Sequence, residues 1–318
     1  MNDRSRSGRS KSGGRKKQGG ASQRQRKSGS RPSGKRGGAP KSGAGKRGGG
    51  SRSGDQRGGE AGSGRRGPAR GLGGDQVEGR QAVRELLLAG RRQVREIFVA
   101  DDLDRADIVD DITELAGELG VPLRSVGRKR LAAEASTGSH QGVVARAAQL
   151  PEVELDRLTR RQDGRAPFLL IVDGVTDPGN LGAMLRTAEC AGVTGVVLGR
   201  HRSVHITPTV TKAAAGAIEH LPMAVVGGIP AALSELNDAG MTTIGLDAGG
   251  ESSVFDAVPG AEPVALVLGA EGRGLSRLVS ERVDRVVAIP LLGGLNSLNV
   301  SAATAIACFE VVRRRTAN

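Results

Sequence analysis

From Val77 onward the chain alternates between two spacings of apolar residues. Apolar side chains three and four positions apart predict helices over residues 78–90, 105–120 and 128–135. Between them, short runs rich in Val, Ile and Phe predict strands over 94–100, 121–126 and 140–148. Helices and strands taking turns in this way make one small α/β domain, residues 75–148. The next segment, 149–166, is polar and charged and is bracketed by Pro151 and Pro167, so it reads as a linker.

A longer alternation begins at Phe168, where "FLLIVDG" is a continuous apolar run of the kind found in strands buried on both faces. Further strands are expected over 194–199, 223–226, 242–248, 264–270 and 285–291. Helices are expected over 180–192, 207–220, 229–240, 276–283 and from Val300 onward. The series predicts an α/β domain, residues 167–318, with a mostly parallel sheet and helices on both sides. Ligands of such sheets bind at the C-terminal ends of the strands, so the loops there are the first place to look for chemistry.

Composition changes the picture at the N-terminus. Residues 1–74 carry 21 Lys or Arg against 3 acidic residues, although the whole chain of 318 has a net charge of only +13. The remainder is mildly acidic, at −5. The basic stretch is almost all Gly, Ser, Arg, Lys and Gln, with Leu72 its one branched aliphatic residue and no aromatic. It has too little apolar surface to offset chain entropy and is expected to be a disordered tail. Its charge suits a polyanion bound by counterion release, a contact that would be salt-sensitive and blind to sequence. A solubilising tail is the plainer alternative.

No apolar run of 18 residues occurs, so no membrane span is expected, and the N-terminus lacks the apolar core of a secretory signal. Cys190 and Cys308 fall inside predicted helices without CxxC spacing, which suits buried, reduced thiols in the cytoplasm. His140, His201, His205 and His220 show no metal-ligand spacing, and no metal is expected.

Three loops at predicted strand ends hold the unusual residues. In "DGVTDPGNLGAMLRTAE", residues 173–189, Asp177, Pro178 and Gly179 form a turn and Asn180 is well placed to cap the next helix. Leu181, Leu185 and Ala188 form that helix's buried stripe and Arg186 lies off it; taken alone, the stretch reads first as a capped helix with a solvated arginine. In "LVLGAEGRGLS", residues 266–276, Gly269, Gly272 and Gly274 allow backbone to approach a ligand closely around Glu271. The order GxxGxG differs from the dinucleotide fingerprint, and no phosphate-binding loop of the nucleotide hydrolases occurs. In "IPLLGGLNSLNVS", residues 289–301, Asn296, Ser297, Asn299 and Ser301 crowd the start of the last helix, although one cap needs only one side chain.

Taken together and in order, these loops resemble the three motifs of the SpoU/TrmH branch of the SPOUT methyltransferase superfamily. The start "VEGRQAVRELL" and end "GSHQGVVA" of the small domain resemble the L30e-like substrate domain of its bacterial 23S rRNA guanosine 2′-O-methyltransferases. The resemblance covers nearly everything after residue 77 and leaves the basic tail without a counterpart. It implies a catalytic domain tied in a deep trefoil knot, pairing as a homodimer. It also implies S-adenosyl-L-methionine as cofactor, held by main-chain groups at Gly269, Ile289 and Leu298. Catalytic or substrate-positioning work would fall to Asn180, Arg186, Glu271, Ser297 and Asn299.

The implied reaction moves a methyl group to a ribose 2′-oxygen of RNA, with 23S rRNA as the expected partner. A guanidinium stays protonated at ordinary pH, so Arg186 is expected to act as a cationic clamp on a developing alkoxide and a neighbouring phosphate. Glu271 would organise Arg186 or accept a proton. Lys212 reads as a solvated lysine and His140 as a turn residue. The rivals are the same chemistry on transfer RNA or on an adenosine of ribosomal RNA, and an RNA-binding or ribosome-assembly factor that has lost catalysis.

Overall fold

The computed structural model describes residues 71–103, 106–200 and 205–317. Residues 1–70, which hold most of the expected tail, and His201 lie outside the described residues. The small domain comprises β1 (Gln76–Glu78), α1 (Arg80–Ala89), β2 (Val94–Ala100), α2 (Asp107–Glu118), β3 (Leu123–Val126), α3 (Arg128–Glu134) and β4 (Val143–Ala147). Its mixed sheet has the order β1-β4-β2-β3. The strand β1 was not expected: three residues are too few for a periodic signal, and Gly79, at φ 101°, turns the chain straight into α1.

The larger domain continues with α4 (Leu155–Leu158), β5 (Phe168–Asp173), α5 (Pro178–Cys190), β6 (Gly195–Gly199), α6 (Pro208–Ala213), β7 (Met223–Val226) and α7 (Ile229–Asp238). It ends with β8 (Thr242–Leu246), β9 (Ser252–Ser253), α8 (Val254–Ala257), β10 (Val264–Gly269), α9 (Arg277–Ser280), β11 (Arg285–Ala288) and α10 (Val300–Thr316). Seven strands pair in the order β7-β6-β5-β10-β8-β11-β9, and every pairing is parallel.

The period of two in β5 splits its side chains between two cores. Phe168, Leu170 and Val172 pack on one face with residues of α5 and α10, while Leu169 and Ile171 pack on the other with residues of α7 and α9. All five are 0–1% exposed, which is why the run reads as continuously apolar. The direction of winding reverses between β5 and β10, so the loops leaving these neighbours diverge and open a crevice above the sheet.

Two expected boundaries move. The segment 149–166 is no free linker: Val153 N–H donates to Met223 O (2.9 Å), and Leu158 is fully buried over Gly195. Its many charges point outward and mask a few deeply buried apolar residues. Likewise the end of the expected tail, Gly71–Gly74, belongs to the fold. Leu72 is 8% exposed, and the Leu72 N–H and Gly74 N–H donate to Leu150 O and Ile206 O.

The predicted helix 207–220 is broken after Ala213. Ala215 and Gly216 take φ values of 50° and 91°, and a short 3₁₀ turn, Ala217–Glu219, follows. The kink lets α1 come close, since a Cβ on Gly216 would stand 2.4 Å from Glu85 Cβ. It also sends Glu219, 1% exposed, to receive hydrogen bonds from Arg92 Nε (2.9 Å) and Nη2 (2.5 Å). This buried ion pair, with His220 against Glu85 at 2.9 Å, joins the small domain to the large one.

Cys308 is buried as expected, and desolvation pushes its thiol up to about 12. Cys190 is exposed instead, because its place at the end of α5 lies off the buried stripe. At the other end of the chain Arg315 donates to the carbonyls of Ala166, Pro167, Gly260 and Glu262 and lies 5.2 Å over the Phe168 ring. Arg315→Ala is expected to cost about 1–3 kcal/mol, read as an earlier urea midpoint.

Candidate active site

The glycine loop after β10 is held by carboxylates from the strands beside it. Asp173, ending β5, accepts from Ser276 N–H (2.9 Å), and Asp247, following β8, accepts from Leu275 N–H (3.1 Å) and Gly249 N–H (2.9 Å). The Gly274 N–H donates back to Ala270 O (2.9 Å) and closes the turn. No side chain fits inside: a Cβ on Gly269 would stand 2.1 Å from Gly274 O, and Gly274 itself sits at φ 64°. Sequence reasoning missed Asp173 and Asp247. Their one signal is a carboxylate closing an otherwise apolar strand.

Beside this turn lies a cavity of about 410 Å³. Gly269, Ile289 and Leu298 all line it, and so do Glu271 and Ser297. Its lining mixes glycines and aliphatic residues with Asp247, Glu271, Arg273, Asn296 and Ser297. Volume and composition match those of small-molecule sites, which combine apolar walls with a few convergent polar groups.

At the start of α5 the cap differs from expectation. Asp177 is the N-cap, its Oδ1 accepting from Asn180 N–H at 2.6 Å, because only the residue before the first helical turn can face that turn's free N–H groups. The Asn180 side chain is thereby left to reach outward. Its Nδ2 donates to Glu271 Oε2 (3.1 Å), and its Oδ1 accepts from Asn299 Nδ2 (2.9 Å). Asn299 also caps α10, its Oδ1 accepting from the Ser301 N–H (2.9 Å) and hydroxyl (2.6 Å). A one-way chain of hydrogen bonds therefore runs from Ser301 through Asn299 and Asn180 to Glu271 and links the three loops.

Arg186 is not part of this chain. It is exposed on α5 and, among the described residues, makes no hydrogen bond or ion pair; nor does it line the cavity. Six residues carry a helix about 9 Å along and roughly a third of a turn around, which takes its side chain off Asn180's face. Lys212, read as solvated, instead donates to Ser139 Oγ in the small domain. His140 does sit in a turn, its Nδ1 accepting from Gly142 N–H (3.1 Å).

Comparisons with known proteins match both domains to described families. Residues 167–309 match the SpoU rRNA Methylase family and residues 76–153 match the RNA 2′-O ribose methyltransferase substrate binding family. Among curated relatives, the 23S rRNA (guanosine-2′-O-)-methyltransferase RlmB of Ralstonia nicotianae is 41% identical over 75% of this chain and 95% of its own length. YacO of Bacillus subtilis, assigned to the TrmH family of tRNA/rRNA methyltransferases, is 38% identical over 76% of this chain and 96% of its own. The AviRb SpoU methyltransferase of Streptomyces viridochromogenes, solved with AdoMet, shares the fold at a TM-score of 0.65 and 24% identity, over 76% of this chain and 91% of that one. With a glycine-walled cavity beside three joined motif loops, the chain belongs to the SpoU/TrmH branch of the SPOUT superfamily, the RNA 2′-O-ribose methyltransferases.

Proposed function

We propose that this enzyme methylates a guanosine of 23S rRNA on its ribose 2′-oxygen, with S-adenosyl-L-methionine as donor. The observation that carries the chemistry is the Asn299–Asn180–Glu271 hydrogen-bond chain at the lip of the glycine-walled cavity. The residues present fit the donor: the bare Gly269 lets the turn up to Leu275 close into one cavity wall, and the lining sets two carboxylate residues, Asp247 and Glu271, against one guanidinium, Arg273, a balance that favours a cation. When bound, S-adenosyl-L-methionine supplies an electrophilic sulfonium methyl group.

In this reading Gly269, Ile289 and Leu298 would hold the donor, and Glu271 would take the proton that the ribose hydroxyl gives up when its oxygen gains the methyl carbon and the methyl–sulfur bond breaks. A carboxylate is an acceptor only while ionised, and Asn180 keeps Glu271 oriented for that task. Asn299 fixes Asn180, and Ser297, in the cavity wall, binds the sugar. Alignment of this sort can lower a barrier by about 7–11 kcal/mol.

Arg186 serves as the cationic clamp on the alkoxide and an RNA phosphate. Its place away from its own chain's cavity fits a homodimer in which the clamp comes from a second copy. The loop before α10 also exposes Leu292 (100%) and Leu295 (82%), apolar area that pairing of two chains would cover. The small domain belongs to the L30e-like type, and the packing of α10 against α5 suits a knotted C-terminus. Among the described residues no helix is long and apolar enough to cross a membrane, in keeping with work on ribosomal RNA in the cytoplasm.

The guanosine of 23S rRNA is favoured by the activity for which the RlmB relatives, at 38–41% identity, are named. Transfer RNA is the second reading, since the Bacillus subtilis relative is named for both RNAs. The test is transfer of labelled methyl from S-adenosyl-L-methionine to unmodified 23S rRNA and to unmodified tRNA. Label in a guanosine 2′-O-methyl of the 23S rRNA is expected. Label only in tRNA would move the substrate, and no label in either RNA would refute the enzyme.

A further inference from the structure

Among the described residues two segments of chain run between the domains, and one side chain pins both. Arg92, in the turn between α1 and β2, is 2% exposed. Its Nη1 donates to the carbonyl of Gly74, just before β1, and to that of Ala148 (2.7 Å), just after β4. Its Nε (2.9 Å) and Nη2 (2.5 Å) donate as a fork to the two carboxylate oxygens of Glu219, in the 3₁₀ turn of the large domain. Arg91 Nη1 adds a bond to the Glu219 carbonyl (3.1 Å). One planar guanidinium thus serves acceptors from three separate segments, a set that its rigid fork fits in one orientation only.

The joint continues on both sides of this group. Gly74 N–H donates to Ile206 O (2.9 Å), ahead of α6, and Glu85 of α1 faces His220 (2.9 Å). Glu219 reaches Arg92 because the chain kinks at Ala215, which holds φ 50° in spite of its Cβ, a conformation kept only where the surroundings over-determine it. Behind the kink α6 is pressed against α5: a Cβ on Gly182 would stand 2.4 Å from Ala213 Cβ and 2.8 Å from Val210 O. The helix α5 has Asn180 in its first turn and Arg186 farther along. Contact is therefore unbroken from the small domain to the helix that bears two of the candidate catalytic groups.

Stability alone does not call for an ion pair here. A buried pair exchanged for apolar residues of similar volume is often no less stable. Apolar contact is non-directional, however, and would leave two surfaces free to slide. What the fork adds is a single register. We infer that Arg92 and Glu219 are positioning residues for methyl transfer: they hold the small domain at one fixed orientation, so that RNA carried by it meets α5 in a single alignment. The inference rests on methyl transfer to RNA and on the match of the small domain to the substrate binding family. It is independent of which face of that domain the RNA touches.

The test uses the full chain. Arg92→Met combined with Glu219→Leu removes both charges and puts apolar volume in their place. With saturating 23S rRNA and donor, kcat is expected to fall roughly 10- to 100-fold, the cost of a misplacement of about an ångström. The Kd for the RNA should change less than about twofold and donor affinity not at all, a split that loss of the fold would not produce. A second measurement leaves the joint intact. Spin labels on the exposed Cys190 and on Glu118→Cys, in chains diluted with unlabelled protein, report the distance between the domains. One narrow distribution is expected with Arg92 and Glu219 in place, and a broad one in the double variant. A broad distribution in the former would overturn the inference, as would an unchanged kcat or a loss confined to RNA affinity. Donor affinity lost together with kcat would make the pair a folding element and overturn it too. Absence of turnover by the wild type would strike at the enzyme reading instead, and the distance distribution would still decide the joint.

Discussion

Replacing Asn180 with alanine is expected to lower methyl transfer to RNA by roughly 10²- to 10³-fold, the usual consequence of removing one donor aimed at a reacting group. The side chain bridges all three motif loops: it gives a hydrogen bond to Glu271 and takes one from Asn299. Without it Glu271 loses the partner that orients it, and Asn299 keeps only its capping role. The α5 start should survive, because its cap is Asp177 acting on the backbone N–H of residue 180. Cofactor affinity should therefore change little, so the loss should appear in kcat rather than in donor binding. Single-turnover transfer with saturating donor measures this directly. Turnover close to wild type would remove the hydrogen-bond chain from the mechanism.

Gly269→Ala should abolish measurable donor binding, a weakening of more than about 100-fold. The added carbon would meet Gly274 O at 2.1 Å, Gly274 C at 2.2 Å and Leu275 N at 2.5 Å. All three are backbone atoms, which cannot rotate away as a flexible side chain could. The turn must open, and with it the contacts of Asp247 and Asp173 to Leu275 and Ser276 are lost. Gly293→Ala is the matched control, since nothing lies within 4 Å of its missing Cβ. Titration calorimetry with S-adenosyl-L-methionine should give no heat for the first variant and a wild-type isotherm for the second. Retained affinity in Gly269→Ala would mean that the donor binds elsewhere.

The helices and strands were largely legible because each buries a face with its own period. The run from Phe168 to Val172 is apolar at every position since two cores share it, and the stripe of Leu181, Leu185 and Ala188 is fully buried as spaced. What local pattern misjudged were places where one or two buried residues sit in polar surroundings. Leu72 and Leu158 are such residues: each is packed into a core, yet glycines and charges around them lower the average that a sequence window sees. The break at Ala215 and Gly216 was hidden for a similar reason, because alanine-rich sequence favours helix and only the approach of α1 demands the turn.

Within the candidate site, the surplus of short polar residues at strand ends is a property of the sequence alone, and Asn180, Glu271 and Asn299 belong to it or to the loops beside it. Their partners are not legible there. Hydrogen bonds between residues 91 and 119 positions apart depend on where parallel strands end side by side, and spacing along the chain carries no record of that. The same holds for Arg186, whose motif position suggested a neighbour of Asn180 but whose helical phase turns it away. Periodicity and loop chemistry, both local, settled the class of fold and the list of polar residues; strand order, a property of distant segments packing to bury apolar area, decided which of those residues touch.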